Sequence, residues 1–189
     1  SSSWISYLLG YTMGAGRSTC LFGNTQGRKL PRYLQHVPAI DNTDALADFI
    51  GRERDSYQHH KTITEARLWL QNHGYGFSNG AFAAVVKDGD AGAARQFLAA
   101  GFAPTTCDDR GVPVLSVAIR SRHTELINLL IDRGADINQL SDDRGNTPLM
   151  EAAVRGDEEL VSYLVGQGAE LNYQNKSGQT ALMIAVGED

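Results

Sequence analysis

From Asn79 onward the apolar residues return at intervals of three and four, the spacing that lines one face of a helix. Within Glu125–Ile131 they fall on Leu126, Ile127, Leu130 and Ile131, and within Asn79–Val86 on Phe82, Val85 and Val86. The pattern predicts helix pairs over about 79–87/90–100, 113–121/124–133 and 147–155/157–167, then a lone helix over about 180–187. Local chemistry places their ends. Pro148 falls in a first helical turn, where its missing N–H costs nothing, and Thr147 before it supplies a capping hydroxyl. Gly134 and Gly168 follow apolar helices, where a left-handed C′ residue is needed. Ahead of the pairs, Thr64–His73 reads as one more helix with Ala66, Leu68, Trp69 and Leu70 apolar; it is expected to cap the first pair, with Trp69 a packing residue.

The pairs are copies of one unit. Asp142-Asp143-Arg144-Gly145-Asn146-Thr147-Pro148-Leu149-Met150 recurs as Asn175-Lys176-Ser177-Gly178-Gln179-Thr180-Ala181-Leu182-Met183, with Gly145 and Gly178, and Thr147 and Thr180, both 33 apart. Asp108-Asp109-Arg110-Gly111-Val112-Pro113-Val114-Leu115 is a weaker copy 34 earlier. The second half repeats too, Leu129–Asn138 matching Tyr163–Asn172, with Phe97–Pro104 a degenerate third copy. These residues resemble the ankyrin-repeat family over about 77–189. The resemblance implies a turn and two antiparallel helices per repeat, stacked so that neighbours bury faces a single repeat cannot bury, with the array stopping mid-repeat.

The opening run Ser2-Ser3-Trp4-Ile5-Ser6-Tyr7-Leu8-Leu9-Gly10-Tyr11 reads as a helix with a stripe of Ile5, Leu8, Leu9 and Thr12, ended by Gly14-Ala15-Gly16. Ser18–Gly23 then reads as a short buried strand, Val37–Asp41 as a second strand limited by Pro38, and Asn42 or Thr43 as the cap of a helix running to about Tyr57. That order is the C-terminal half of an α/β sandwich, so a preceding βαβ portion is expected to be missing or the piece adapted to the repeats. Ser-x-Trp-x-x-x-x-Leu from Ser2 to Leu9 resembles a helix of Toll/interleukin-receptor-like (TIR) domains. Leu9-Gly10-Tyr11 before a glycine-ended strand resembles nucleoside deoxyribosyltransferases. Both families imply a flavodoxin-like segment, and in their enzymes a glutamate that works at C1 of a ribosyl group precedes this Leu. Here that residue is Leu8, whose isobutyl group can neither form an ester nor offset oxocarbenium charge. The resemblance therefore implies an inactive segment, with Leu8 turned into the core.

The fold class expected is mostly α, an ankyrin-repeat helical solenoid with an N-terminal partial α/β (flavodoxin-like) segment. Its divisions are 1–60, a capping helix and linker over 61–76, and repeats over 77–189. Composition agrees with a folded chain: 189 residues, 42% hydrophobic and 21% charged. Charge is asymmetric. Seventeen Lys+Arg against 22 Asp+Glu give −5, and residues 75–189 hold 9 basic and 16 acidic side chains, a balance of −7 that argues against nucleic acid as partner. Cys20 and Cys107 form no disulfide framework, and no apolar stretch approaches the roughly 20 residues of a membrane span. A cytoplasmic chain off the membrane is expected. The start Ser1-Ser2-Ser3, without Met, points to processing, a tag or truncation, with truncation favoured by the half repeat and half sandwich.

Competing chemistry is thin. Gly10-x-x-x-Gly14-x-Gly16 closes a helix on this reading, whereas phosphate loops open one, and Gly23–Lys29 reads as a solvated turn better than as a ligand loop. His59 and His60 point about 100° apart on a helix and lack a partner set for metal, Asp55 being the one candidate. Cys107 beside Asp108 and Asp109 has the opposite of a nucleophile's surroundings. No catalytic residue, cofactor or metal is therefore assigned. The function expected is protein–protein recognition. The ankyrin resemblance puts contacts at turn tips and exposed first helices: Asp109, Arg110, Val112, Arg120 and Ser121; Asp143, Arg144, Asn146, Val154 and Arg155; Lys176, Ser177 and Gln179. Tyr173 is a candidate aromatic anchor. The acidic tips point to a partner with a basic patch; failing that, the site moves to a concave face around Ser116, Met150 and Met183. The rival reading is a fragment of an NAD- or nucleoside-cleaving N-glycosidase with the repeats as sensor or adaptor.

Overall fold

The computed structural model describes residues 7–13, 16–22, 39–40 and 43–187, with side chains described for Ile40 and for 43–187. The chain divides into two compact units, Ser1–Thr62 and Ile63–Asp189.

In the first unit, β1 (Tyr7–Met13) and β2 (Gly16–Phe22) pair antiparallel from Tyr7↔Phe22 to Met13↔Gly16, and β3 (Ala39–Ile40) lies parallel to β2. This corrects the helix expected over Ser2–Tyr11: the part described is a strand. The physical reason lies in the spacing. Met13 opposite Gly16 leaves only Gly14 and Ala15 between two seven-residue runs, the separation of a hairpin rather than of a helix and the next strand. The helix that carries the TIR resemblance is thus absent where the chain is described. The described strands form a hairpin with one short parallel addition, in place of the parallel flavodoxin-like half sandwich. The inward turn expected of the Leu8 side chain, and the Gly23–Lys29 loop, lie outside the described residues.

Helix α1 (Thr43–Asn72) belongs to the first unit up to Thr62 and to the second from Ile63. Two helices were expected here. Between Tyr57 and Thr64 stand only Gln58, His59, His60, Lys61, Thr62 and Ile63, with no glycine or proline to break hydrogen bonding, so the helix runs through.

The second unit is a stack of helix pairs. The helices are α2 (Asn79–Asp88), α3 (Ala91–Ala99), α4 (Val114–Arg120), α5 (Thr124–Asp132), α6 (Pro148–Arg155), α7 (Glu158–Gly166) and the lone α8 (Ala181–Val186). They match the predicted pairs to within a residue or two at most ends. First helices pack in sequence, α2 on α4, α4 on α6 and α6 on α8, with α3 against α5. Thr147 and Thr180 accept from the N–H groups of Met150 and Met183, while α4 starts at Pro113 with no side-chain cap. Gly134 and Gly168 follow α5 and α7 with φ of 86° and 92°. Phe82, Val86, Phe97, Leu115, Leu126, Leu130 and Leu164 fill one continuous core. Ala66 and Leu70 of α1 join it, Trp69 is half-buried and stacks on Tyr75 at 6.1 Å, and Leu68, expected on the same face, is 52% exposed.

Candidate functional site

The turns before α4, α6 and α8 each close on one residue. Asp108 Oδ1 accepts from the N–H groups of Arg110 and Val112, Asn175 Oδ1 from those of Ser177 and Gln179, and Ser141 Oγ from that of Asn146. The main chain repeats the pattern, with N–H to carbonyl bonds from Asp108 to Val112, Ser141 to Asn146 and Asn175 to Gln179. Ser141, not Asp142, is therefore the counterpart of Asp108 and Asn175, and the middle turn holds one extra residue. Sequence likeness aligns Asp142 with Asp108 because the residue types match; hydrogen bonding shifts the register by one. Adjacent turns are tied edge to edge, Asp142 N–H donating to Gly111 O and Lys176 N–H to Arg144 O.

Beneath the middle turn lies an ionic cluster. Arg120 at the end of α4 donates from Nη1 and Nη2 to both oxygens of Asp143, at 2.7 and 3.1 Å, and from Nη2 to Glu151 Oε1 at 2.6 Å. Glu151 Oε1 also accepts from Asn146 Nδ2, and Asn146 Oδ1 accepts from Asn175 Nδ2, so the network spans three repeats. Hydrogen bonds from Arg120, then from the Ser141 hydroxyl and the Arg144 N–H, outweigh burial and hold the Asp143 carboxyl well below the usual carboxylate range. Burial opposes the charge of Arg120, but its bonds to Glu151 and Asp143 prevail and raise its pKa above that of an ordinary arginine.

Two grooves open along the tips. One, of about 510 Å³, brings together the predicted residues Asp143, Arg144, Asn146, Val154, Lys176, Ser177 and Gln179. The other, of about 310 Å³, brings together Asp109, Arg110, Val112, Arg120 and Ser121. Arg155 and Tyr173 line neither; Arg155 is half-buried and Tyr173 is 40% exposed. Two of the residues expected to meet a partner are interior. Val112 is 1% and Asn146 2% exposed, because both directly precede a first helix and close the turn beneath it rather than forming its tip. Ser116 and Met150, named for the concave face, are buried as well, while Met183 is 42% exposed. Asp109 is exposed with its carboxylate over α2, where a Cβ on Gly80 would lie 2.7 Å from Oδ2. Arg110 is 81% exposed at the side chain, 3.5 Å from Asp108. The Arg144 side chain makes no ion pair or hydrogen bond among the described residues. Lys176 Nζ donates to Asp142 O, and Gln179 Oε1 accepts from Asn175 Nδ2.

Glu151 and Asn175 belong to the site and sequence reasoning missed both. The signal for Glu151 was a lone carboxylate between Met150 and Ala152 in a helix whose one other charged residue, Arg155, stands at its last position, a placement that calls for a cation. Among the described residues no group of three His, Cys, Asp or Glu could hold a metal ion. None of the described helices is long and apolar enough to cross a membrane.

A stack of helix pairs joined by hydrogen-bonded turns, with the open surface along the turns, defines the class: a helical repeat protein. Residues 115–189 match the family model described as ankyrin repeats (three copies). The chain is also 35% identical over 181 residues to a putative ankyrin repeat-containing protein of Treponema pallidum (strain Nichols). That match covers 96% of this chain and 61% of the relative's length.

Proposed function

We propose that the repeats form a protein-docking module whose contact surface is the row of turn tips and the two grooves between them. The observation that carries this is the gathering of Arg144, Lys176 and Ser177 from different repeats on one open groove, with Asp109 and Arg110 on the next. Solvent-facing arginines beside a partly apolar floor suit a partner's side chains. Arg155, Tyr173 and Gln179 flank or line this surface and are proposed as its margins.

The identity of the partner's charge needs revision. Asp108 is spent on turn N–H groups and Asp143 on Arg120, leaving Asp109 and Asp142 as exposed tip carboxylates. That weighs against recognition through a basic patch. The cytoplasm remains the proposed compartment, on the unpatterned cysteines alone. No observation favours the glycosidase reading: the described part of the segment that carried its resemblance, residues 7–11, lies in β1.

Photo-crosslinking in a cell extract tests the module, with the reactive group placed in turn at positions 110, 144 and 176 and, as controls, at the exposed α7 positions 159 and 162. Protein adducts confined to the tip positions support the reading. Adducts confined to α7, or none at any position, overturn it.

A further inference from the structure

The larger groove carries a charge opposite to that of the repeats around it. Of its charged residues, Asp143 accepts two hydrogen bonds from Arg120, a guanidinium shared with buried Glu151, so that cluster keeps one negative charge; against it stand two cations, the Arg144 guanidinium, with no partner among the described residues, and the Lys176 ammonium, held by a single carbonyl, which leave the groove net positive. The floor beside them is apolar: Val154 is 51% exposed and Ile184 half-buried. Neutral amides of Asn175 and Gln179 complete the wall. A cation pair beside an apolar floor, on a body of net negative charge, selects by contact rather than by long-range attraction, because charges farther apart than about 8 Å are screened at physiological salt.

We infer that this groove binds an acidic peptide segment of a protein partner, with a carboxylate side chain on Arg144 and Lys176 and a neighbouring aliphatic side chain on Val154 and Ile184. The inference rests on the docking reading and adds the chemistry of the partner. Guanidinium matches carboxylate in a two-pronged geometry that an ammonium does not, so Arg144 is the principal contact and Lys176 the auxiliary one. The surrounding −7 gives an acidic segment no long-range attraction, so specificity resides in the dissociation rate.

The test uses the full chain and three blocked, fluorescent peptides that alternate Leu with Glu, Gln or Lys, read by anisotropy. The Glu peptide is expected to bind at least about tenfold more tightly than the Gln peptide, one pair's worth of charge-assisted bonding. Arg144→Glu is expected to abolish that preference and favour the Lys peptide, and Lys176→Gln to reduce it partly; unchanged helical circular dichroism and melting confirm that both variants fold. Equal binding of the Glu and Gln peptides, an effect of neither substitution, or no binding of any peptide overturns the acidic-segment inference. Preference of the parent chain for the Lys peptide also overturns it, while leaving the docking reading standing. The docking reading itself fails only in the crosslinking experiment.

Discussion

Arg120 Nη2 and Glu151 Oε1 lie 2.6 Å apart across consecutive repeats, and the Glu151 side chain is 3% exposed. A carboxylate this deep survives because the guanidinium and the Asn146 amide satisfy the same oxygen. Their cost and gain in stability nearly cancel, since desolvation offsets most of the attraction of a buried pair. What the pair fixes is geometry: it holds α4, α6 and the middle turn in register.

Removing one partner should be far worse than removing all. Arg120→Met leaves the Glu151 carboxylate buried and uncompensated, which should cost about 3 kcal/mol. Arg120→Met with Asp143→Asn and Glu151→Gln should recover most of that loss, as neutral groups need no counter-charge. Urea unfolding with an unchanged slope checks both. A single variant as stable as the parent would show that Glu151 does not depend on Arg120 for its counter-charge.

Acid should reveal Asp143. Its folded pKa lies below the unfolded value of about 3.9, so the carboxylate stabilises the fold above that value. The contribution is lost as pH falls below about 3.9 towards the folded pKa, because there the unfolded chain takes up a proton and the folded one does not. Between about pH 5 and pH 2.5 the parent should therefore lose stability more steeply than Asp143→Asn. Asp90, also lowered, through its bond from the Ala93 N–H and then from Tyr75, is common to both proteins and cancels. Parallel curves would place the Arg120 bond outside the stability of the fold.

The repeats were legible because their punctuation is chemical. Thr147-Pro148 starts α6, Gly168 follows α7, and the apolar spacing of Leu126, Ile127 and Leu130 can face only one way. The site was legible only in part. A residue's place in a turn tells little about whether it is the tip or the plug, and Val112 and Asn146 are plugs. The extra residue at Ser141 was hidden because Asp142 looks like Asp108 while Ser141 does the same hydrogen bonding with a different group. The strand β1 was misread because Leu8 and Leu9 fit a helix stripe and a strand equally over so short a run. Tyr75 and Phe102, which pack edge-on against Phe97, with Phe102 also on Phe82, and Phe77, which packs edge-on against Phe102, lie outside the helices and leave no periodic trace.

Two glycines two residues apart should respond oppositely to alanine. Gly168 has φ of 92°, where a Cβ is strained, so Gly168→Ala should destabilise by about 1 kcal/mol. Gly166 is the last residue of α7, is exposed, and an added Cβ there meets nothing within 4 Å. Gly166→Ala should stabilise by about 0.5 kcal/mol through helix propensity and reduced freedom of the unfolded chain. Thermal melts of the two variants side by side decide it, and a shift in the same direction for both would break the argument.

Leu130 and Leu164 occupy the same position in successive second helices, and both are fully buried. Truncation to alanine should cost about 2–5 kcal/mol in either case. The two losses should differ, because Leu130 is flanked on both sides by complete pairs whereas the repeat beyond Leu164 contributes only α8. A cavity that can collapse costs less than one held open by rigid neighbours, so Leu130→Ala should be the more severe. Denaturant titration of both variants measures the difference. Equal costs would mean that α8 and its turn close over α7 as firmly as a full pair.

The Cys107 thiol should be sluggish at neutral pH for a reason that can be dissected. Burial is the leading cause of its raised pKa, followed by the charges of Asp142 and Asp108, and Gln139 Nε2 donates to its sulfur at 3.3 Å. Asp109, its neighbour but one in sequence, is not among the causes, because its carboxylate is over Gly80 instead. In a Cys20→Ser background, the rate of alkylation by iodoacetamide against pH reads the thiolate fraction directly. The midpoint should lie above that of a free cysteine, about 8.5. Asp142→Asn should lower it, but only in part, since removing one charge leaves the desolvation in place, and Asp109→Asn should leave it where it is. A midpoint that moves with Asp109 and ignores Asp142 would mean that the tip carboxylates sit differently around the sulfur, and would reopen which of them faces a partner.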